Sequence, residues 1–146
     1  MQKIGWIGVG IMGKAMVRNL MKAGYQLHIY ARHPEKVADV VSEGAVFHDS
    51  IADCVKASDV VITMVGFPKD VEEVYFTPGA ILDNAAKDTL LIDMTTTSPK
   101  LAQRIVLELK DKVAKGFVEG INLEDVAGAA ADTPAAQGAG QGIAAL

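Results

Sequence analysis

Three glycines near the start of the chain, Gly8, Gly10 and Gly13, follow the spacing G-x-G-x-x-G. The apolar run IGWI precedes them and a helical pattern of apolar residues follows them, so they occupy a turn between a strand and a helix. In such a turn, glycines allow a tight bend and a close approach of the backbone to a pyrophosphate. The free N–H groups and the positive dipole end of the helix point at the phosphates. The spacing therefore predicts a dinucleotide site, against the alternative of a purely structural turn.

A second candidate, Arg32, follows the next predicted strand, Tyr25–Tyr30, and lies between Ala31 and His33. In a dinucleotide fold this position meets the adenosine ribose, where Asp or Glu would accept hydrogen bonds from both hydroxyls and favour NAD. No acidic residue occurs here before Glu35, whereas a guanidinium forms charge-assisted bonds to a 2′-phosphate and stacks on adenine. We therefore predict NADP rather than NAD, with these three residues at the adenosine end. The alternative is that Arg32 is a solvated loop residue.

Other reactive side chains are few. Cys54 is the only cysteine, so neither a disulfide nor a thiolate metal cluster is expected, and it is interpreted as a small buried side chain. The histidines His28, His33 and His48 share no metal-like spacing, and no metal site is predicted. A net charge of −4 argues against a nucleic-acid partner, and no apolar stretch reaches the roughly 18 residues of a membrane span. Because Met1 leads directly into strand-like sequence without a leader peptide, a cytoplasmic location is expected.

The elements that position these residues are strands and helices that alternate over residues 1–112. After the first two strands, further strands are predicted at Ala45–Phe47, Asp59–Val65 and Thr89–Asp93. A helix is predicted after each strand, beginning near Ile11, Pro34, Ile51, Lys69 and Lys100. This alternation predicts a parallel sheet with right-handed crossovers, and the apolar runs of the last two strands predict burial on both faces.

Residues 113–146 have a different composition, dominated by Ala and Gly with almost no bulky residue after Val126. A short helix capped by Asn122 is expected, whereas the later glycines and Pro134 oppose a long helix. Such a tail would cover a sheet edge, drive self-association into a homo-oligomer, or be partly mobile, and the composition leaves these alternatives open. We therefore predict a dinucleotide-binding domain over residues 1–112 and a partly helical Ala/Gly-rich tail over residues 113–146.

Three stretches resemble, in the same order, the signatures of the β-hydroxyacid dehydrogenases, the family of 3-hydroxyisobutyrate dehydrogenase and tartronate semialdehyde reductase. They are WIGVGIMGKAMVRNLMKAG, SDVVITMVGFPKDVEEVYF and LIDMTTTSPKLAQRI. Over residues 1–110 the chain is identified as a member of this family. The resemblance implies an α/β doubly wound parallel sheet, the Rossmann fold, with the Ala/Gly-rich tail in place of the family's helical domain.

The resemblance also implies roles for the matching residues. It places along the pyrophosphate the residues Val9, Gly10, Ile11 and Met12. It places beside the nicotinamide half the residues Met64, Val65 and Gly66. Thr95 and Thr96 would hold the nicotinamide ribose or the substrate carboxylate. The alternative for these threonines is a hydroxyl-rich strand end that satisfies its own backbone.

The family's catalytic lysine pattern, its glycine-rich substrate loop and its helical second domain are not recognisable in the sequence, so no catalytic residue is assigned. We predict a truncated or minimised NADP-binding domain of an oxidoreductase, acting on a small hydroxy acid such as 3-hydroxyisobutyrate or tartronate semialdehyde/glycerate, with little or no activity alone. The alternatives are an enzyme completed by a partner chain, or a non-catalytic binding or self-assembling Rossmann module. Methyltransferase or flavin binding would leave Met12 and the DMTTTSP match unexplained.

Overall fold

The structure, a computed structural model, describes residues 1–112. Within them strands and helices alternate, as the sequence predicts. The strands are β1 (Lys3–Ile7), β2 (Gln26–Tyr30), β3 (Val46–Phe47), β4 (Val60–Thr63) and β5 (Leu90–Asp93). The helices are α1 (Ile11–Lys22), α2 (Ala38–Ser42), α3 (Ile51–Lys56), α4 (Pro68–Phe76), α5 (Ile81–Asn84) and α6 (Pro99–Lys112), and a 3₁₀ turn (Pro34–Val37) precedes α2.

The five strands form one parallel sheet in the order β3-β2-β1-β4-β5. The central strand is β1, in which Ile7 lies beside Tyr30 of β2 and Thr63 of β4. The chain moves outward from β1 through β2 and β3 and then crosses back to β4, so the strand order reverses between β1 and β4. At such a reversal the loops after the two strands diverge and leave a crevice at their carboxyl ends. The predicted doubly wound α/β fold is confirmed.

Helices pack on both faces of the sheet. Successive side chains of β1 point to opposite faces, so Trp6 packs on the side of α1 and α2, whereas Ile7 packs on the side of α3, α4 and α5. Both side chains are almost fully buried. Burial of a large apolar side chain contributes about 1.5–3 kcal/mol, so β1 is held firmly where it ends at the crevice.

The prediction that the fifth strand is buried on both faces is wrong. Leu90 is 48 % exposed and Ile92 is 37 % exposed. They lie on the α1 face of the sheet, beside Val60 and Ile62 of β4, which are buried. Because β5 is the outermost strand of the described sheet, the described helices on this face bury β4 without extending over β5.

One element was not predicted. The short helix α5 buries Ile81 and Leu82 against the second core, but four residues are too few to show a helical period in the sequence. The predicted tail, residues 113–146, lies outside the described residues, and its boundary stays a prediction. None of the helices in the described part is long and apolar enough to cross a membrane.

Candidate functional site

A cavity of about 240 Å³ lies at the carboxyl ends of β1, β2 and β4, where the strand order reverses. It is the crevice in which open α/β sheets bind their ligands. The residues that line it come from the last positions of β1 and β2, from the loops after the three strands, and from the 3₁₀ turn and α4. They are Ile7, Gly8, Val9, Gly10, Tyr30, Ala31, Arg32, His33, Lys36, Val37, Met64, Val65, Gly66, Asp70 and Val74.

The glycine turn lines one part of this cavity through Gly8, Val9 and Gly10. Gly8 has a φ of +97°, and a Cβ there would lie 2.2 Å from the Met64 carbonyl oxygen. A Cβ at Gly13 would lie 2.7 Å from the Gly8 carbonyl oxygen, which Trp6 Nε1 contacts as a donor at 3.3 Å. By contrast, no atom lies within 4 Å of a Cβ built at Gly10. Gly8 and Gly13 are therefore required by the fold, whereas Gly10 keeps space free at the cavity.

The start of α1 is suited to an anion. Gly10 precedes the helix without a side-chain cap, and the first turn contains no acidic residue. The first helical hydrogen bond runs from the Lys14 N–H to the Gly10 carbonyl at 2.9 Å, so the N–H groups of residues 11–13 have no carbonyl acceptor within the helix. Ile11 is 94 % exposed and Met12 is 66 % exposed. A phosphate placed at Gly10 would meet free donors and the positive end of the helix dipole.

Arg32 lines the cavity, and its side chain is half-exposed and ion-paired. Its Nη2 donates to Glu73 Oε2 at 2.9 Å and to Asp70 Oδ1 at 3.3 Å, both on α4. Asp70 in turn accepts the Phe67 N–H at 3.0 Å through Oδ2, which caps α4. The adenosine end predicted from the sequence therefore contains an ion-pair cluster that the sequence did not indicate.

Lys36 and Asp70 are cavity residues that the sequence analysis missed. Lys36 lies on the 3₁₀ turn, four residues after Arg32 in the sequence, and this closeness was the available signal for a second cation at the cavity. Asp70 belongs to α4, more than thirty residues from Arg32, and no local pattern connects the two. By comparison, Lys14 and Arg18 of α1 both pair with Asp39 of α2, and Arg18 also pairs with Glu43, the residue after α2.

The loops after β4 and β5 are joined by hydrogen bonds. The Val65 N–H donates to Thr95 Oγ1 at 2.9 Å, and the Thr95 N–H donates to Asp93 Oδ1 at 3.1 Å. The buried Thr63 hydroxyl lies 2.9 Å from the same Asp93 oxygen and 3.1 Å from the Tyr75 hydroxyl. Burial raises the pKa of Tyr75 to about 12, so the Tyr75 hydroxyl keeps its proton in this network. Because Thr95 Oγ1 accepts a bond from Val65, its own hydrogen remains for a further acceptor.

The structure brings most of the predicted residues together and leaves some outside. The cavity contains, of those residues, Gly8, Val9, Gly10, Ala31, Arg32, His33, Met64, Val65 and Gly66. Beyond its lining lie Ile11, Met12, Gly13, Thr95 and Thr96. The cavity thus holds residues predicted for the adenosine end, for the pyrophosphate and for the nicotinamide half, whereas the predicted threonines lie beyond its lining.

The remaining reactive side chains lie away from the cavity. Cys54 is fully buried, and burial raises its pKa to about 12, so it is a thiol and not a nucleophile. His28 Nδ1 lies 2.8 Å from His48 Nε2, a contact that the sequence spacing did not predict. Within residues 1–112 no group of three or more His, Cys, Asp or Glu side chains is placed to hold a metal ion.

Comparison with known proteins agrees with this geometry. A family model described as the NAD binding domain of 6-phosphogluconate dehydrogenase matches residues 3–121. The chain is 45 % identical over 109 residues to the uncharacterized oxidoreductase YkwC of Bacillus subtilis. The matched stretch covers 75 % of this chain and 38 % of YkwC. It is 33 % identical over 127 residues to 3-hydroxyisobutyrate dehydrogenase of Pseudomonas aeruginosa, which covers 82 % of this chain and 43 % of that protein.

A solved structure resembles the fold as well. The 3-hydroxyisobutyrate dehydrogenase of Mycobacterium tuberculosis, determined with L-serine, matches with a TM-score of 0.70 and 28 % identity. The match covers 77 % of this chain and 38 % of that one. The chain therefore spans less than half the length of the relatives that it matches.

Proposed function

This chain belongs to the β-hydroxyacid dehydrogenase family and contains its N-terminal NAD(P)-binding domain, and on that premise we propose that its cavity binds NADP for hydride transfer to or from a small hydroxy acid. One observation carries the proposal. The glycine turn, the open space at Gly10 and two cations, Arg32 and Lys36, share a single cavity at the reversal of strand order.

The residues present suit a dinucleotide. The N–H groups at the start of α1 would hold the pyrophosphate beside Gly10. Arg32 and Lys36 supply positive charge where the adenosine ribose is expected, and the loop after β2 has no carboxylate placed to accept bonds from both ribose hydroxyls. A 2′-phosphate would gain charge-assisted bonds there, which is why we propose NADP over NAD.

At the opposite end, Met64, Val65 and Gly66 would pack against the nicotinamide half, and Thr95 and Thr96 would bind the nicotinamide ribose or the substrate carboxylate. The Val65 N–H to Thr95 bond fixes the orientation of this hydroxyl. A bound cofactor would supply or accept the hydride. The protein residues would orient it and present hydroxyl donors to the substrate.

The substrate is proposed as a small hydroxy acid because relatives are named 3-hydroxyisobutyrate dehydrogenases. Hydride transfer also needs a general acid or base, and the family's lysine pattern is not recognisable in this sequence. We therefore expect the 146-residue chain to bind the cofactor without turning over 3-hydroxyisobutyrate or tartronate semialdehyde. Turnover at the rate of an ordinary dehydrogenase would contradict this.

Titration with NADPH and with NADH tests the cofactor assignment. Trp6 is the only tryptophan and bonds to the Gly8 carbonyl, so its fluorescence reports on the glycine turn. We expect Arg32→Ala to raise the Kd of NADPH by about tenfold or more, because a charge-assisted bond to phosphate contributes about 1.5–3 kcal/mol. The Kd of NADH should change by less than about threefold.

Arg104→Ala is the matched control for this variant. Arg104 is as exposed as Arg32 and pairs with Glu72 of α4, and neither Arg104 nor Glu72 lines the cavity. Its removal changes the net charge equally and should leave both dissociation constants unchanged. Equal losses of NADPH and NADH affinity in Arg32→Ala would refute a contact with the 2′-phosphate.

A further inference from the structure

The carboxylates of Asp70 and Glu73 both take their hydrogen bond from one atom of Arg32, Nη2. A guanidinium has two edges that bind two oxygens of a phosphate at once, the Nε–Nη2 edge and the Nη1–Nη2 edge. Nη2 belongs to both edges. While the two carboxylates hold Nη2, neither edge can bind a phosphate in the bidentate manner.

We propose that Asp70 and Glu73 restrain the NADP preference of this site by competing with the 2′-phosphate for Arg32. This inference rests on the proposed function, because it assumes that a dinucleotide binds in the cavity. The two acidic residues are then specificity-determining residues: they oppose binding of the phosphorylated cofactor and leave the unphosphorylated one nearly unaffected.

The exposure of the three side chains sets the strength of this competition. Arg32 is 51 % exposed and Glu73 is 54 % exposed, whereas Asp70 is only 22 % exposed. Ion pairs that water reaches are weak and exchange readily, so a phosphate can displace the carboxylates. The competition should therefore reduce NADPH affinity without abolishing it.

Glu73 is the better residue to change. Asp70 also caps α4 through the Phe67 N–H, so its substitution would disturb the helix along with the ion pair. Glu73 has no such second bond among its described contacts, and its carboxylate makes the shorter contact with Nη2. Glu73→Gln removes the charge and retains the shape of the side chain.

The experiment titrates the full chain and four variants with NADPH and with NADH and follows Trp6 fluorescence. The variants are Glu73→Gln, Glu72→Gln, Arg32→Ala and the double variant Arg32→Ala with Glu73→Gln. We expect Glu73→Gln to lower the Kd of NADPH between about threefold and about tenfold, and to change that of NADH by less than about twofold. Glu72→Gln is the matched control: Glu72 is the neighbour on α4 with similar exposure, and it pairs with Arg104. That variant should alter neither constant.

The fourth arm separates competition from simple charge repulsion. The third variant is Arg32→Ala, and the fourth combines Arg32→Ala with Glu73→Gln. If Glu73 acts by competing for Arg32, these two variants should bind NADPH with the same Kd. A gain of the same size in the Arg32→Ala background would show direct repulsion and would overturn the proposal. An unchanged or raised Kd in Glu73→Gln alone would also overturn it, since the carboxylates would then not compete with the phosphate.

These outcomes are distinct from a failure of the proposed function. If the unmodified chain binds neither NADPH nor NADH, the cavity is not a dinucleotide site, and the proposed function and this inference both fall. If it binds them and Glu73→Gln has no effect, only this inference falls.

Discussion

The three glycines of the turn have different tasks, and substitution can separate them. Gly10 has no neighbour within 4 Å of a Cβ, so alanine there fits the protein. The added methyl group would occupy the space through which a pyrophosphate approaches the start of α1. We expect Gly10→Ala to leave the urea midpoint unchanged and to raise the Kd of NADPH by about tenfold or more.

Gly8→Ala is the contrasting variant. Its methyl group would lie 2.2 Å from the Met64 carbonyl oxygen, in a backbone conformation with φ of +97°. We expect the free energy of unfolding to fall by roughly 2 kcal/mol or more, because both strain and overlap are imposed at a buried strand end. If Gly10→Ala destabilised the fold as much as Gly8→Ala, the division of tasks between the two glycines would be refuted.

The residues that the sequence indicated and the partners of Arg32 that it did not indicate differ in one physical respect. Gly8, Gly10 and Arg32 belong to one βαβ unit, in which a fixed spacing along the chain corresponds to a fixed arrangement in space. The partners of Arg32 on α4 lie about forty residues away, so only the folded sheet brings them together. Local patterns therefore indicate the cavity but not its charge balance.

At the scale of elements, β2 and the residue after β3 are joined by the contact between His28 and His48. Burial, the neighbouring His48 and Lys3 lower the pKa of His28 from its ordinary value of 6.5, while Asp59 opposes them. The unfolded chain therefore binds a proton at a higher pH than the folded chain does. It follows that the free energy of unfolding is greatest above that ordinary value and declines as the pH falls below it.

We expect urea unfolding to show a lower midpoint at pH 5 than at pH 7, and the decline to be smaller in His28→Gln. His33→Gln is the control, because the His33 side chain is 62 % exposed and carries the same chemical change. The decline in His33→Gln should exceed that in His28→Gln. The same slope in all three proteins would assign the decline to other groups.

Element boundaries also show where sequence patterns succeed and fail. The strand β4 was predicted because its β-branched run, bounded by turn residues, is visible over more than four positions. The exposed face of β5 was not predicted, since an apolar run such as LLI indicates a strand but not whether a helix reaches it. Four residues at Ile81–Asn84 are likewise too few to show a period.

At the scale of the whole molecule, the described residues belong to one compact unit, Met1–Ala114. Every residue that lines the cavity lies within it. We therefore expect deletion of Ile121–Leu146 to leave the Kd of NADPH within about twofold of its original value. Titration and light scattering of the shortened chain measure affinity and size together.

The two measurements distinguish the alternatives for the tail. A smaller particle with unchanged affinity would support a tail that drives self-association. Loss of NADPH binding would contradict the prediction and would show that the tail contributes to the site. The same particle size and the same affinity would show that the tail contributes neither to self-association nor to cofactor binding.

The position of β1 has a consequence for the time at which the site forms during synthesis. The glycine turn leaves the ribosome before β4 does, yet Ile4 pairs with Val60, and the space around Gly8 is closed by Met64. The paired residues Ile4 and Val60 are 56 positions apart in the sequence, and contacts between distant segments form slowly. A nascent chain that stops short of β4 lacks Met64, Val65 and Gly66 and therefore has only one side of the cavity. Cofactor binding would thus begin only after β4 has emerged and paired with β1.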